Sequence, residues 1–225
     1  MATTLILVRH GQTEHNQAGM TAGWTDSALA ESGREQAWLV ATHIAATYRL
    51  DALYASPLQR ALDTARAIGQ ATGLAPVPDP DLREQNFGDV EGLTVEEAQQ
   101  RYPEISARAR VVDDLSFSWP NGERRSDFYG RVLRAMARIA ANHPEQTVGI
   151  VTHGGVIGAY VADVQEGKAY LWRNYLVDNC SVTIVTVEHT GRRAVRLYND
   201  TSFMPAQPVD PLTASLREVD RATKR

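Results

Sequence analysis

The stretch LILVRHGQTEHN, residues 5–16, runs four apolar residues directly into Arg9, His10 and Gly11. Residues 5–8 are branched, few in number and closed off by glycine, the pattern of a strand buried on both faces of a sheet. A lone histidine at the end of such a strand is most simply a hydrogen-bonded structural residue. The segment IVTHGG, residues 150–155, ends a second apolar run the same way, with His153 followed by glycine. Two such junctions in one chain point to a shared site.

Outward from residue 16 the period of the apolar pattern changes. Ala37, Val40, Ala41, Ile44, Ala45 and Tyr48 recur at helical spacing, which predicts a helix within 27–48 that lies on a sheet. A strand at 51–55 follows, then a helix in ASPLQRALDTARAIGQATG, with Ser56 as cap, Pro57 at the first helical position and Gly73 past the end. Residues 75–78 read as extended and LREQNFGDVEG as a loop. Thr94 and Glu97 form a capping-box pattern for a short helix that stops before Pro103. Residues 103–125 show little periodicity and read as an irregular lid or substrate loop. Helical spacing returns at Phe128, Val132, Ala135, Met136 and Ile139 and ends near Pro144. A strand at 147–152, a helix in GGVIGAYVAD and strands at 181–187 and 193–198 complete the pattern.

Alternating strands and helices imply an α/β fold, a three-layer α/β/α sandwich around a mostly parallel central sheet. The chain of 225 residues, 43% hydrophobic, suits one such domain over 1–204. A tail, 205–225, carries a short apolar stripe of Leu212, Leu216 and Val219, suited to a docked helix, a dimer contact or a frayed end. Monomer and homodimer both stay open. A net charge of −4 argues against a nucleic-acid surface. Nothing approaches the roughly 20 apolar residues of a membrane helix, and no signal peptide opens the chain. Cys180 is the only cysteine, so no disulfide within the chain and no zinc–thiolate cluster can form, and a cytoplasmic protein is expected.

In parallel sheets, ligands bind at the carboxyl ends of strands, where Arg9, His10 and His153 are expected. The glycine after each histidine lets backbone N–H groups approach a ligand closely. Backbone donors, two imidazoles and a guanidinium make a pocket for an anion with three oxygens, a phosphoryl group.

These motifs carry a resemblance. LVRHGQTEHN resembles the Arg-His-Gly signature of the histidine phosphatase superfamily, the phosphoglycerate mutase-like proteins, and VTHGG resembles its second-histidine motif. ASPLQRALDTA is similar to the segment that bears the family's second phosphate-binding arginine, and LREQNFGDVEGLT to the one that bears its acidic proton donor. The order of all four matches the family. The resemblance implies His10 as nucleophile, with Arg9, Arg60 and His153 on the phosphoryl group and Glu84 as acid and base. It places Asn16 at the phosphate too, with Gly11, Thr13 and Gly154 as further binding positions. It implies a phosphohistidine intermediate with no metal and no cofactor. Imidazole suits the task, because nearby arginines oppose its protonation and keep it nucleophilic near neutral pH. Arg60, three residues into a helix from Pro57, adds that helix's N-terminal partial charge.

The expected activity is a metal-independent phosphomonoester hydrolase that acts on a small phosphorylated metabolite. A cofactor-dependent phosphoglycerate mutase is the alternative, and a non-catalytic phosphate-binding or regulatory module is the alternative from another class. RARVVDDLSFSWPNGERRSDF lacks the paired-arginine RRSYD pattern and proline run of the mutases, and WPNGE is similar to a turn of the phosphatase branch. Arg108, Arg110, Arg124 and Arg125 are candidates for an anionic substrate, and Trp119 and Tyr102 for stacking. Glu91 is expected to hold loop backbone, His15 is a remote metal candidate, and Cys180 reads as a small buried apolar group where the chain enters the strand at 181–187.

Overall fold

The computed structural model describes residues 2–206, 210, 211 and 213–216. Its sheet has six strands in the order β3-β2-β4-β1-β5-β6: β1 (Ala2–Arg9), β2 (Ala52–Ala55), β3 (Val77–Pro78), β4 (Thr147–Thr152), β5 (Val182–Glu188) and β6 (Arg193–Asp200). β1, β2, β3 and β4 run parallel, and β5 and β6 are antiparallel additions at one edge. The sheet is mostly parallel, as the alternating pattern required.

Strand periodicity divides the core. Leu5 and Leu7 point to α6 (Arg125–Asn142) and α7 (Gly154–Glu166), where they meet Val132, Met136, Ile157 and Tyr160. Ile6 and Val8 point the other way, to α2 (Glu31–Thr47) and α3 (Gln59–Thr72), among Val40, Ile44, Ala61 and Ile68. All four β1 side chains are at most 1% exposed, so each adds about 1.5–3 kcal/mol to the fold. This double burial makes β1 a rigid mount for Arg9 and His10.

The chain leaves β1 toward β2 on one side and leaves β4 toward β5 on the other. A crevice therefore opens above the adjacent ends of β1 and β4, the reversal point at which such sheets bind ligands. The register pairs Arg9 with Thr152, which sets His10 and His153 at the same height.

Several boundaries differ from expectation, each for a local reason. α2 starts at Glu31 rather than near Ser27, because the Ser27 hydroxyl accepts the His15 N–H and residues 25–30 stay outside the helix. α3 starts at Gln59, not Pro57. Leu58 keeps extended backbone at its N-cap, and the Gln59 N–H is satisfied by Asp26 Oδ1 at 2.8 Å. Arg60 is thus the second helical residue.

The stretch expected to be irregular begins with a helix, α5 (Pro103–Ala109), directly after α4 (Val95–Arg101), whose Thr94–Glu97 capping box is present. Seven residues give too few turns for a legible stripe. A one-turn helix, α1 (Glu14–Gln17), is too short to show any period, and Thr13 and Asn16 cap it reciprocally. Cys180 sits in a turn at the entry to β5, at φ 54°. Of the tail stripe, Leu212 and Val219 lie outside the described residues. Among the described residues no helix is long and apolar enough to cross a membrane.

Candidate active site

Arg9, the last residue of β1, and His10 after it are 6% and 5% exposed. The His10 Nδ1 lies 2.8 Å from the Gly11 carbonyl oxygen. A carbonyl only accepts, so Nδ1 carries the proton and the lone pair of the neutral ring is on Nε2. Burial, then the charges of Arg60 and Arg9, push the His10 pKa well below its usual 6.5, against the Gly11 carbonyl. His10 is neutral at pH 7, with a nucleophilic nitrogen.

His153 caps α7 from the end of β4 and is fully buried. Its ring centroid is 5.2 Å from that of His10, at a tilt of 60°. Its Nε2 lies 2.7 Å from Ser56 Oγ, and Ser56 Oγ accepts the Leu58 N–H. Where the hydroxyl donates to Nε2, the ring's own proton is on Nδ1. Burial first, then Arg60 and His10, hold the His153 pKa well below 6.5 as well.

Arg60 is 1% exposed, and its guanidinium is fixed by the carbonyls of Thr25 (3.1 Å) and Gly23 (2.6 Å). Burial lowers its pKa to about 10 against the attraction of Glu84, so it keeps its charge at neutral pH. Arg9 is fixed through Nη1 by the Val177 carbonyl at 2.7 Å and Asp210 at 3.0 Å. Nε of Arg9, Nε of Arg60 and Nδ1 of His153 are buried and have no hydrogen-bond partner among the described residues. Unpaired buried donors cost about 1–3 kcal/mol each, a cost that an anion bound at these groups removes.

Glu84 approaches from the loop after β3. Its Oε1 accepts the Gln85 N–H and its Oε2 the Gly155 N–H, both at 2.9 Å. Burial raises its pKa above 4.5, and these N–H groups, Arg60 and Arg131 oppose the rise. The protonated form gains, as a general acid requires.

Two glycines serve needs that residue order does not reveal. A Cβ on Gly155 would stand 2.3 Å from Glu84 Oε1, so this glycine clears room for the carboxylate. A Cβ on Gly11 would stand 2.4 Å from the Gly33 carbonyl oxygen, and the Gly11 N–H donates to Thr64 Oγ1. Gly11 therefore lets its backbone pack closely on α2. Thr13 is likewise fully buried in the α1 cap. Asn16 spends its Oδ1 on Thr13 and lines the pocket, as do Arg9, His10, Arg60, Glu84 and Gly154.

Beyond this polar floor the pocket is apolar, walled by Phe87, Val90, Trp119, Trp172 and Leu216, with Arg110 and Arg173 beside them. Arg108 instead pairs with Asp114 at 2.6 Å, Arg125 holds the carbonyls of Val111 and Ala109, and Arg124 stands at the N-cap of α6. Tyr102 stands at the junction of α4 and α5. Among the described residues no group of three or more His, Cys, Asp or Glu could hold a metal ion.

A family model for the histidine phosphatase superfamily (branch 1) matches residues 5–201. The chain belongs to this superfamily. A bifunctional protein of Mycobacterium tuberculosis is 36% identical over 203 residues, which cover 90% of this chain and 55% of that protein. The chain thus spans about half the length of that curated relative. Phosphoserine phosphatase 1 of Hydrogenobacter thermophilus is 32% identical over 194 residues, 86% of this chain and 90% of that one. A mycobacterial glucosyl-3-phosphoglycerate phosphatase solved with VO3 matches with a TM-score of 0.77 at 32% identity, covering 88% of this chain and 99% of that one.

Two residues that build this pocket, Arg131 and Asn179, gave no sequence signal. Arg131 of α6 donates to the carbonyls of Asp81, Arg83 and Glu84 and pairs with Glu123 at 2.8 Å, which ties down the loop that carries Glu84. Glu91 accepts from the backbone of Trp24, Thr25 and Phe87, the loop-holding role expected of it. The Asn179 amide donates to the His10 carbonyl at 2.9 Å. The Cys180 thiol is buried, which pushes its pKa up and makes it inert.

Proposed function

We propose that the protein is a metal-independent phosphomonoester hydrolase that works through a phosphohistidine on His10. The observation that carries this reading is the set of unpaired buried donors on Arg9, Arg60 and His153 beside a neutral imidazole with its lone pair on Nε2.

In the first step Nε2 attacks phosphorus and the P–O bond to the alcohol breaks. The guanidinium groups and the His153 Nδ1–H stabilise the charge on the equatorial oxygens. Glu84, protonated, gives its proton to the leaving alkoxide. In the second step Glu84, now ionised, takes a proton from water, the oxygen attacks phosphorus and the P–N bond breaks. Phosphate leaves and His10 is again neutral. Asn16 and Gly154 complete the phosphate floor. Throughout, the Gly11 carbonyl holds the Nδ1 proton and keeps the ring in one orientation.

The substrate is a small phosphorylated metabolite whose alcohol part meets the apolar wall of Phe87, Trp119, Trp172 and Leu216. Two relatives carry phosphatase names, for phosphoserine and for glucosyl-3-phosphoglycerate, which supports hydrolysis over isomerisation. The single buried cysteine fits a reducing compartment, and we place the activity in the cytoplasm.

The test is an assay of p-nitrophenyl phosphate and a panel of natural monoesters with chelator present, for wild type and His10→Ala. Turnover that survives chelation and an acid-labile phosphoenzyme absent from the variant are expected. No turnover of any ester and no phosphoenzyme would sink the hydrolase reading. With 3-phosphoglycerate and catalytic 2,3-bisphosphoglycerate, release of free phosphate is expected to outrun isomerisation, and the reverse makes the protein a mutase.

A further inference from the structure

The tail beyond β6 reaches the phosphate floor. Asp210 is 5% exposed, and its Oδ2 lies 3.0 Å from Arg9 Nη1 across 201 residues of sequence. Its own orientation is preset. Oδ1 accepts the Thr213 N–H at 2.9 Å and Oδ2 accepts the Thr213 hydroxyl, while the Asp210 carbonyl accepts the Ala214 N–H. Asp210-Pro211 is a helix-start pair, an N-cap acid followed by proline, and residues 211 and 213–216 are helical.

This contact falls on one edge of the guanidinium. Nη1 is taken by the Val177 carbonyl and Asp210, with the Thr213 hydroxyl at 3.4 Å, whereas Nε has no partner among the described residues. The Nε–Nη2 edge is the fork that matches two oxygens of a phosphoryl group. A carboxylate on Nη1 therefore orients Arg9 without competing for the anion. Burial works against an ionised Asp210, but Arg9 and the Thr213 hydrogen bonds hold its carboxyl below the usual range, so the pair is ionic at neutral pH. Thr213 and Leu216 also line the pocket with Trp172 and Arg9.

Resting on the proposed hydrolase reading, we infer that Asp210, Thr213 and Leu216 are a working part of the phosphate site. Asp210 is a positioning residue that sets Arg9 for the phosphoryl group, and Leu216 supplies the wall that meets the alcohol part of the substrate. The tail thereby couples phosphate affinity to substrate choice.

The experiment compares wild type with Asp210→Asn, Asp210→Ala, Thr213→Val and Leu216→Ala in the full chain. It reads orthovanadate affinity by calorimetry, kcat and KM on esters of increasing bulk, and the melting temperature. Asp210→Ala is expected to weaken vanadate binding and kcat/KM together, on the order of 10–100-fold, because a displaced guanidinium misses the oxygens it must meet. Asp210→Asn keeps an acceptor and falls between, and Thr213→Val follows it. Leu216→Ala is expected to reorder KM across the esters. Should Asp210→Ala not fold, the Asn and Val variants carry the comparison. Vanadate bound by Asp210→Ala as tightly as by wild type, or more tightly as for a competing carboxylate, overturns the inference. Vanadate binding by a wild type that turns over no ester would instead defeat the hydrolase reading alone. The variants would then still decide the role of Asp210.

Discussion

The ends of β1 and β4 read almost alike, strand-His-Gly in each case, yet the two histidines are wired in opposite senses. His10 ties Nδ1 to its own neighbour's carbonyl and presents Nε2, whereas His153 ties Nε2 to Ser56 from a third strand and presents Nδ1. The first leaves Nε2 without a partner by tying down Nδ1, and the second leaves Nδ1 without one among the described residues. The glycines differ in the same way, since Gly11 is pressed on the Gly33 backbone while Gly155 yields its space to Glu84. One local pattern thus serves two chemistries, and the difference comes from what the neighbouring elements bring to each ring.

The largest expected effect separates the rings. His10→Ala removes the proposed nucleophile and should lower kcat/KM on the order of 10⁴-fold, with no phosphoenzyme on a rapid acid quench. His153→Ala removes one proposed donor to the transition state and should cost about 10²–10³-fold while phosphoenzyme still forms. Equal losses, or phosphoenzyme in the His10 variant, would break the assignment.

The glycine contrast comes next. Gly155→Ala pushes the Glu84 carboxylate aside and should cost on the order of 10²-fold in kcat, with little change in melting temperature. Gly11→Ala meets backbone that cannot yield, so it should lose about 1–3 kcal/mol of stability in a urea titration. A Gly155→Ala variant that melts early and keeps its activity would reverse the distinction. A smaller loss, about fivefold from ~1 kcal/mol, is expected for Ser56→Ala, which frees His153 Nε2 and lets the ring change tautomer. Unchanged kinetics there would show that the ring is oriented by packing alone.

Proton linkage sharpens the comparison last. Both histidines have folded-state pKa values below 6.5, so the unfolded chain takes up protons first as pH falls. The stability due to neutral rings is complete above that value and is lost below it. Glu84 has the opposite sign. Its pKa is raised from 4.5, so its ionisation costs stability as pH rises through the raised value. Urea midpoints between acid and neutral pH should fall on the acid side, less steeply for His153→Asn. A slope unaffected by that substitution would show that His153 does not titrate on unfolding. For the reaction, kcat/KM should decline on the alkaline side as Glu84 ionises.

Much of this architecture was legible from residue order. Residues 5–8 and 147–152 read as buried strands, and the stripes of α2 and α6 follow from spacing alone. α5 was hidden because seven residues show too little of a period. The start of α3 was misplaced because Ser56, a good cap by type, has its hydroxyl engaged by His153. In the candidate site, Arg9, His10, Asn16, Arg60, Glu84 and Gly154 gather at one pocket beside His153, while Gly11 packs on Gly33 and Thr13 caps α1. Residue type reveals what a side chain can donate or accept, but not which neighbour has already claimed it.

By itself the sequence determined the layered sheet and the two imidazoles and arginine at its carboxyl edge, because hydrophobic period and strand ends are local properties. Only the tertiary structure decided which nitrogen of each histidine is already engaged, that Gly155 makes way for Glu84, and that Asp210 grips Arg9. Those outcomes depend on groups far apart in the chain competing for the same few donors and the same few cubic ångströms.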